Sequence, residues 1–168
     1  MHGKAPKKVC YIAPDVPIPF PSGASVHVRE VASNLSKLGH EVHVIARRTG
    51  PHESKVEDLE GFKVHRVYRQ ILRAGSKGAP ISEFHKGHSL VGGLYYLYLR
   101  TFFALYVAFV ASFVIGQYKL DVIIERETAF GAGGLASVFS ARPMILEIVG
   151  PRYSRLSAKR SSRGVRPK

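Results

Sequence analysis

The start of the first predicted helix suits anion binding, because it carries a glycine, an alanine and a serine in succession. Gly23, Ala24 and Ser25 follow a short apolar run and a proline-rich loop. Amides in the first turn of a helix lack intrahelical acceptors, and glycine lets a phosphate approach the backbone closely. Ser25 would either cap the helix or donate to the same phosphate. The G-x-G-x-x-G and P-loop fingerprints are absent, so these residues alone indicate either an anion site or an ordinary helix start.

Carboxylates near the ends of predicted strands form a second candidate group. Glu125, Glu127 and Glu147 have the chemistry to bind sugar hydroxyls or to exchange protons. Two basic residues, Arg126 and Arg152, offer the alternative that Glu125 is simply ion-paired at the end of the sheet. Both interpretations stay open at this point.

The histidines and the cysteine do not form a comparable group. His85 and His88 stand three residues apart without a third ligand candidate nearby, so we expect no metal site. His43 and His65 fall in predicted strands and are assigned to the structure. The single cysteine, Cys10, cannot form an intrachain disulfide and is compatible with a reducing compartment. We expect a cytoplasmic protein with no metal and no cofactor.

Strands and helices alternate along the chain. Strands are predicted over residues 9–13, 41–46, 62–68, 121–125 and 143–148. Helices are predicted from 23–25 to 38, within 89–116 and over 128–140, and loops over 47–60 and 69–88. Pro14 is expected to end the first strand. This alternation predicts an α/β fold, a Rossmann-like parallel sheet with helices on both faces.

The carboxyl ends of such strands meet at one edge of the sheet, where ligands bind near the switch in strand order. Three stretches are expected at that edge, namely residues 14–25, 125–131 and 149–155. The convergence of these three stretches at one edge is the main functional indication from periodicity alone.

The charge of the chain is unevenly distributed. Of 168 residues, 25 are Lys or Arg and 12 are Asp or Glu, which gives a net charge of +13. Residues 151–168 carry seven of these basic residues and no acid. This basic tail is either a polyanion-binding arm or a solvated end, and we do not expect nucleic acid as a partner, because no zinc-finger spacing or RNP signature is present. We predict a basic N-terminal segment over 1–7 and one folded domain over 8–150.

Five stretches together carry a family resemblance. Residues 11–14 read Y-I-A-P, residues 21–28 read P-S-G-A-S-V-H-V, and residues 35–44 read L-S-K-L-G-H-E-V-H-V. Residues 121–126 (D-V-I-I-E-R) and 142–147 (R-P-M-I-L-E) follow later. The chain resembles the N-terminal half of GT-B glycosyltransferases, in particular the retaining, nucleotide-sugar-dependent enzymes of family 4.

The resemblance implies a hexosyltransferase that moves a sugar from a nucleotide-sugar donor to an acceptor hydroxyl. In such enzymes the N-terminal domain mainly binds the acceptor, and a second Rossmann-like domain binds the donor. Gly23 and Ala24, with Ser25 beside them, match the loop that reaches the donor phosphates. The acceptor-side candidates are Asp15, Glu125, Arg126 and Glu147.

The sequence departs from the family pattern at Val149, where related enzymes commonly place a polar residue. Valine cannot hydrogen-bond or exchange a proton through its side chain, so the catalytic residues stay unknown. The chain also ends where the linker to a donor-binding domain is expected.

A strongly apolar segment allows two interpretations. Residues 102–115 comprise fourteen largely apolar positions, fewer than the roughly 20 that span a bilayer. They predict a helix packed on the sheet, or one that also contacts a membrane interface and serves a lipid-linked acceptor. The candidate membrane-contact residues are Tyr95, Tyr96, Tyr98, Arg100 and Phe102. Basic residues within 69–88 would add attraction to anionic lipid.

Two other functions remain open at this stage. The chain would serve as a non-catalytic, membrane-recruiting subunit of a split transferase, or as a polyanion-binding module acting through its tail.

We expect no transferase turnover from the 168-residue chain alone, since the donor-binding half of the expected cleft would be missing. The measurement is transfer of radiolabelled sugar from a panel of nucleotide sugars to added acceptors. Sugar transfer above background by the isolated chain would contradict this expectation.

Overall fold

The computed structural model describes residues 5–68, 90–127 and 131–148, without the side chains of 90–93, 95 and 96. Several predictions therefore lie outside the described residues. These are the loop over 69–88 with His85 and His88, the strand-end residues 128–130 and 149–155 with Val149 and Arg152, the basic tail, and the side chains of Tyr95 and Tyr96.

In the part of the chain that the structure describes, six strands form one sheet in the order β3-β4-β2-β1-β5-β6. The strands are β1 (Lys8–Pro17), β2 (Glu41–Arg47), β3 (Val56–Leu59), β4 (Phe62–Val67), β5 (Val122–Arg126) and β6 (Met144–Glu147). All neighbouring strands are parallel except β3, which pairs antiparallel with β4 at one edge. The sheet confirms the predicted α/β class and adds one antiparallel edge strand.

Within the described ranges, three helices cover the two faces of this sheet. They are α1 (Gly23–Lys37), α2 (Leu90–Tyr118) and α3 (Ala132–Ser140). Alternate residues of β1 pack against different helices, because successive strand residues point to opposite faces. Tyr11 lies in the same core cluster as Val28 of α1, whereas Ile12 lies in the cluster that contains Val107 of α2. The predicted placement of helices on both faces is confirmed.

The prediction that Pro14 ends the first strand is wrong. Strand β1 continues to Pro17, with a shift in its register against β2 between Ala13 and Pro17. A proline cannot donate to a neighbouring strand, and the register shift accommodates this loss of donors while the chain stays extended. The longer strand carries the polypeptide to the carboxyl edge, where α1 begins.

The prediction that residues 47–60 form only a loop is also wrong, since β3 lies within them. Glu60 and Gly61, both with positive φ (49° and 88°), form the tight turn between β3 and β4. Left-handed backbone of this kind is typical of hairpin turns. The strand is short, polar and at an edge, so it lacks the apolar pattern that identifies buried strands.

The buried Arg66 fixes the proline-rich segment that follows β1. Its guanidinium donates to the carbonyl oxygen of Ile18 at 2.9 Å and pairs with the carboxylate of Glu57. The side chain of Arg66 is only 2% exposed. Because a buried charge is destabilising unless it is paired, these partners stabilise the guanidinium. The segment before α1 is thereby attached to β4 and β3.

Helix α2 is longer than the fourteen-residue apolar segment suggested. By length and composition, its portion Leu97–Tyr118 (22 residues) would be able to cross a membrane, and 39% of its most apolar window is buried inside the domain. Ala108 and Ile115 of α2 belong to one core cluster with Ile12 of β1. The predicted packing of this helix on the sheet is therefore observed.

Two histidines are buried under the carboxyl-terminal end of α2. His43 Nδ1 lies 2.9 Å from His65 Nε2, and His43 Nε2 lies 3.0 Å from a carboxylate oxygen of Glu41. The ring of Tyr118 packs on His43 with 4.2 Å between centroids. Burial, reinforced by the charges of His43 and Lys63, lowers the pKa of His65 to about 4.

Because the pKa of His65 is lower in the folded chain than in the unfolded chain, protonation favours unfolding. Its contribution to stability is fully present above about pH 6.5 and is lost as the pH falls towards about 4. Between about pH 7 and about pH 5, the wild type should lose about 2 kcal/mol more stability than His65→Gln. Urea unfolding of both proteins at the two pH values measures this difference, and equal losses would contradict the assignment.

Candidate functional site

The chain order changes direction at β1, which lies between β2 and β5. The connections from β1 lead first to β2 and β4 on one side and later to β5 and β6 on the other. Such a reversal leaves a crevice at the carboxyl ends of the two central strands. The start of α1 and the ends of β5 and β6 meet at this crevice.

Helix α1 is capped by Ser22 rather than by Ser25. Ser22 has an extended backbone, and its Oγ accepts a hydrogen bond from the Ser25 amide at 3.2 Å. The Ser25 hydroxyl oxygen is fully buried and accepts from the Phe20 amide at 3.0 Å. The two serines therefore brace the loop against the first turn, and a phosphate contact for Ser25 stays a prediction.

Gly23 and Ala24 provide the first two amides of α1. Donors at these positions have no acceptor within their own helix. A side chain added at Gly23 would meet nothing within 4 Å, so the approach to this turn is open. The helix dipole adds a partial positive charge at the same place.

Arg126, the last residue of β5, reaches this first turn. Its Nη1 donates to the carbonyl oxygen of Ala24 at 3.0 Å. The contact holds the guanidinium charge beside the amides of Gly23 and Ala24. An anion bound here would meet backbone donors and a cation together.

Glu147, the last residue of β6, joins three elements. Its two carboxylate oxygens accept hydrogen bonds from the Tyr11 hydroxyl on β1 and from the His27 ring on α1. Burial acts to raise the pKa of Glu147, but these hydrogen bonds and the charges of His27 and Arg126 outweigh it and lower the pKa. Burial together with Glu147 raises the pKa of Tyr11. The sequence predictions did not include Tyr11 or His27 in the site.

Glu125 is not brought to this group. It precedes Arg126 on β5 and so points to the opposite face of the sheet, against α3. Its side chain is 1% exposed and faces Gly133, where an added Cβ would lie 2.7 Å from the Glu125 Cβ. A role for Glu125 in acceptor binding stays a prediction, as does one for the half-buried Asp15 in the last part of β1.

The arrangement supports binding of two chemical groups. The amides of Gly23 and Ala24, with Arg126, suit an anion, and Glu147 is an ionised acceptor for hydroxyl donors. Among the described side chains, no three potential metal ligands from histidine, cysteine, aspartate and glutamate lie together.

Comparison with known proteins gives one family. The family model for Glycosyltransferase Family 4 matches residues 21–148, more than half of the chain. No curated protein matches its sequence.

Solved structures that are similar to the chain include a glycosyltransferase and a hydrogenase domain. A glycosyltransferase from Rickettsia africae shows 16% sequence identity and a TM-score of 0.46, over 91% of this chain and 34% of that protein. The C-terminal domain of a hydrogenase from Pyrococcus furiosus shows 13% identity and a TM-score of 0.44, over 84% of this chain and 92% of that domain. The chain thus spans about a third of the length of the Rickettsia glycosyltransferase.

Gly133 and Gly134 offer a matched test of the contact between α3 and β5. An alanine at 133 would collide with Glu125, whereas an alanine at 134 would meet open space. Gly133→Ala should therefore destabilise the fold by about 1–3 kcal/mol, while Gly134→Ala should be neutral or stabilise it by up to about 1 kcal/mol. Thermal unfolding of both variants measures the contrast, and equal midpoints would show that Glu125 does not pack against Gly133.

Proposed function

Because this chain belongs to Glycosyltransferase Family 4, we propose that it forms the N-terminal, acceptor-binding domain of a GT-B glycosyltransferase. The enzyme transfers a hexosyl group from a nucleotide-sugar donor to an acceptor hydroxyl, and a second domain supplies most of the donor site. The observation that carries the proposal is the convergence of the α1 start, Arg126 and Glu147 at the switch in strand order.

In this proposal, the first turn of α1 binds the donor diphosphate. Gly23 and Ala24 direct amides without helical acceptors towards the crevice, and the space above Gly23 is open. The guanidinium of Arg126 has five N–H donors, and its hydrogen bond to the Ala24 carbonyl uses one of them. Other N–H donors of the same group can therefore bind the diphosphate. A diphosphate carries the charge that this combination neutralises.

Glu147 takes the acceptor hydroxyl in the same proposal. The lowered pKa keeps this carboxylate ionised at neutral pH, and each of its oxygens retains a second lone pair for a sugar hydroxyl. Tyr11 and His27 hold the group in one orientation, so little side-chain freedom is lost when the acceptor binds. No described residue is assigned as a catalytic base or nucleophile.

The non-catalytic alternative, a membrane-recruiting subunit, would use the same domain with its partner half on another chain. One observation favours a membrane role in either case, namely the apolar outer side of α2, where Tyr98 and Phe102 are exposed. A lipid-linked acceptor and a location at the cytoplasmic membrane face belong to the proposal for the same reason. Polyanion binding by the basic tail stays a prediction, as do the boundaries at residues 7 and 150.

Phosphate binding by the first turn can be tested by removing a single donor. Gly23→Pro deletes one amide N–H, and proline is well tolerated at the first helical position after an extended residue such as Ser22. Gly23→Ala keeps the amide, and its methyl group enters open space. We expect Gly23→Pro to weaken binding of inorganic pyrophosphate about ten-fold or more, because a hydrogen bond to a charged group is lost, while Gly23→Ala binds like the wild type.

The measurement is titration of the isotope-labelled chain with pyrophosphate and with UDP, followed by amide NMR shifts. Shifts centred on Gly23 and Ala24 support the proposal. Unchanged affinity in Gly23→Pro, or shifts confined to the basic tail, would contradict it.

A further inference from the structure

Helix α2 carries apolar side chains on its outer side as well as on its inner side. The exposed positions recur at steps of four, four, three, four and four, which places them on one face of a helix. This outer stripe consists of Leu94, Tyr98, Phe102, Leu105, Phe109 and Phe113. Phe109 and Phe113 are 71% and 65% exposed, which is unusual for such large apolar side chains.

The inner side of α2 explains why the stripe faces outward. Ala104, Ala108 and Ala111 are buried in the core cluster that also contains Ala132 and Ala136 of α3. Small side chains along both helices allow close packing, and Phe103 and Ile115 fill the rest of this inner side. The domain therefore uses one side of α2 for its core and leaves an apolar surface on the other.

The first turns of α2 extend beyond the part of the helix whose described side chains are buried in the core. The helix has 29 residues and is about 43 Å long, whereas β5 has five residues and is about 17 Å long. Among the described side chains of α2, those buried in the core begin only at Phe103. The helix leads from the carboxyl end of β4 to the amino end of β5, so its projecting turns lie towards the edge of the sheet that holds the crevice.

Charge favours an anionic lipid surface as the occupant. The whole chain has a net charge of +13, and α2 contains no acidic residue and one basic residue, the half-buried Arg100. Basic proteins are attracted to anionic membrane surfaces, and exposed phenylalanine, leucine and tyrosine on a helix suit the boundary between head groups and acyl chains. The inner side of α2 is committed to the core, so the helix would lie in the plane of the bilayer.

We propose that the outer stripe of α2 docks the domain on the surface of an anionic bilayer, with its projecting turns beside the crevice. The docked helix presents the carboxyl edge of the sheet to molecules held in the membrane. This placement deepens the proposed function, since it brings a lipid-linked acceptor to Glu147. The docking itself rests on α2 alone and does not require the transfer reaction.

Flotation of the chain with lipid vesicles tests the docking without any sugar transfer. The test variant is Phe109→Ser/Phe113→Ser, and the matched control is Leu38→Ser/Val56→Ser, which removes two exposed apolar side chains from other surfaces. We expect the wild type and the control to float with vesicles of phosphatidylcholine and phosphatidylglycerol, and less with phosphatidylcholine alone. The stripe variant should bind the anionic vesicles about ten-fold more weakly or worse.

A fluorescence measurement covers the case in which the stripe variant fails to fold. The chain contains no tryptophan, so Phe109→Trp and Leu38→Trp each introduce one reporter. Docking predicts a blue shift and quenching by brominated anionic lipid for Phe109→Trp and no change for Leu38→Trp.

Three outcomes would overturn the proposal. The wild type would not float with anionic vesicles, Phe109→Trp would not respond to them, or light scattering would show a wild-type dimer that the stripe variant converts to a monomer. In the last case, a second copy of the chain covers the stripe. None of these outcomes bears on pyrophosphate binding at Gly23, so docking and the proposed function fail separately.

Discussion

The carboxylate of Glu147 ties together the elements that form the crevice. Glu147 is the last residue of β6, and its carboxylate accepts hydrogen bonds from Tyr11 on the central strand β1 and from His27 on α1. These two contacts connect α1 to the ends of β1 and β6, in addition to the apolar packing of α1 on the sheet. The contact between Arg126 and the Ala24 carbonyl acts in the same direction from β5. Together they hold the first turn of α1 at the ends of three parallel strands.

The loop before α1 is also attached to β4, which lies on the flank of β1 away from β5 and β6. Arg66 on β4 holds the Ile18 carbonyl, and Ser22 and Ser25 close the segment that leads into the helix. Side chains therefore make the hydrogen bonds that a proline-rich segment cannot supply from its own backbone. These hydrogen bonds order the loop without using the amides of Gly23 and Ala24. The two amides therefore stay available as donors to a ligand.

Much of the fold could be predicted from the sequence, because strong periodicity reports local structure directly. The apolar spacing of α1 and the apolar cores of β1, β2 and β5 gave the correct elements and the correct layers. Strand β3 was missed because it has only four residues, two of them acidic, and lies at the edge of the sheet. Such a segment lacks the apolar alternation that identifies a strand in sequence. The extension of β1 beyond Pro14 depends on a register shift against β2, which is a tertiary property.

The site was predictable only in part, because local sequence patterns do not report contacts between distant parts of the chain. The carboxyl-edge stretches follow from topology, but His27 and Glu147 are 120 positions apart and nothing local connects them. Gly133 on α3 is likewise constrained by its contact with Glu125 on β5, which leaves no room for a Cβ. Local sequence does not reveal this contact between a helix and a strand. The grouping of Glu125 with Arg126 overlooked the alternation of strand residues, which places neighbours on opposite faces.

A crystal structure of this chain grown with pyrophosphate would show whether the first turn of α1 binds a diphosphate. We expect a diphosphate on the amides of Gly23 and Ala24, within hydrogen-bond distance of Arg126, with the contacts of Glu147 to Tyr11 and His27 intact. A diphosphate bound elsewhere on the chain, with the first turn of α1 empty at saturating concentration, would contradict it.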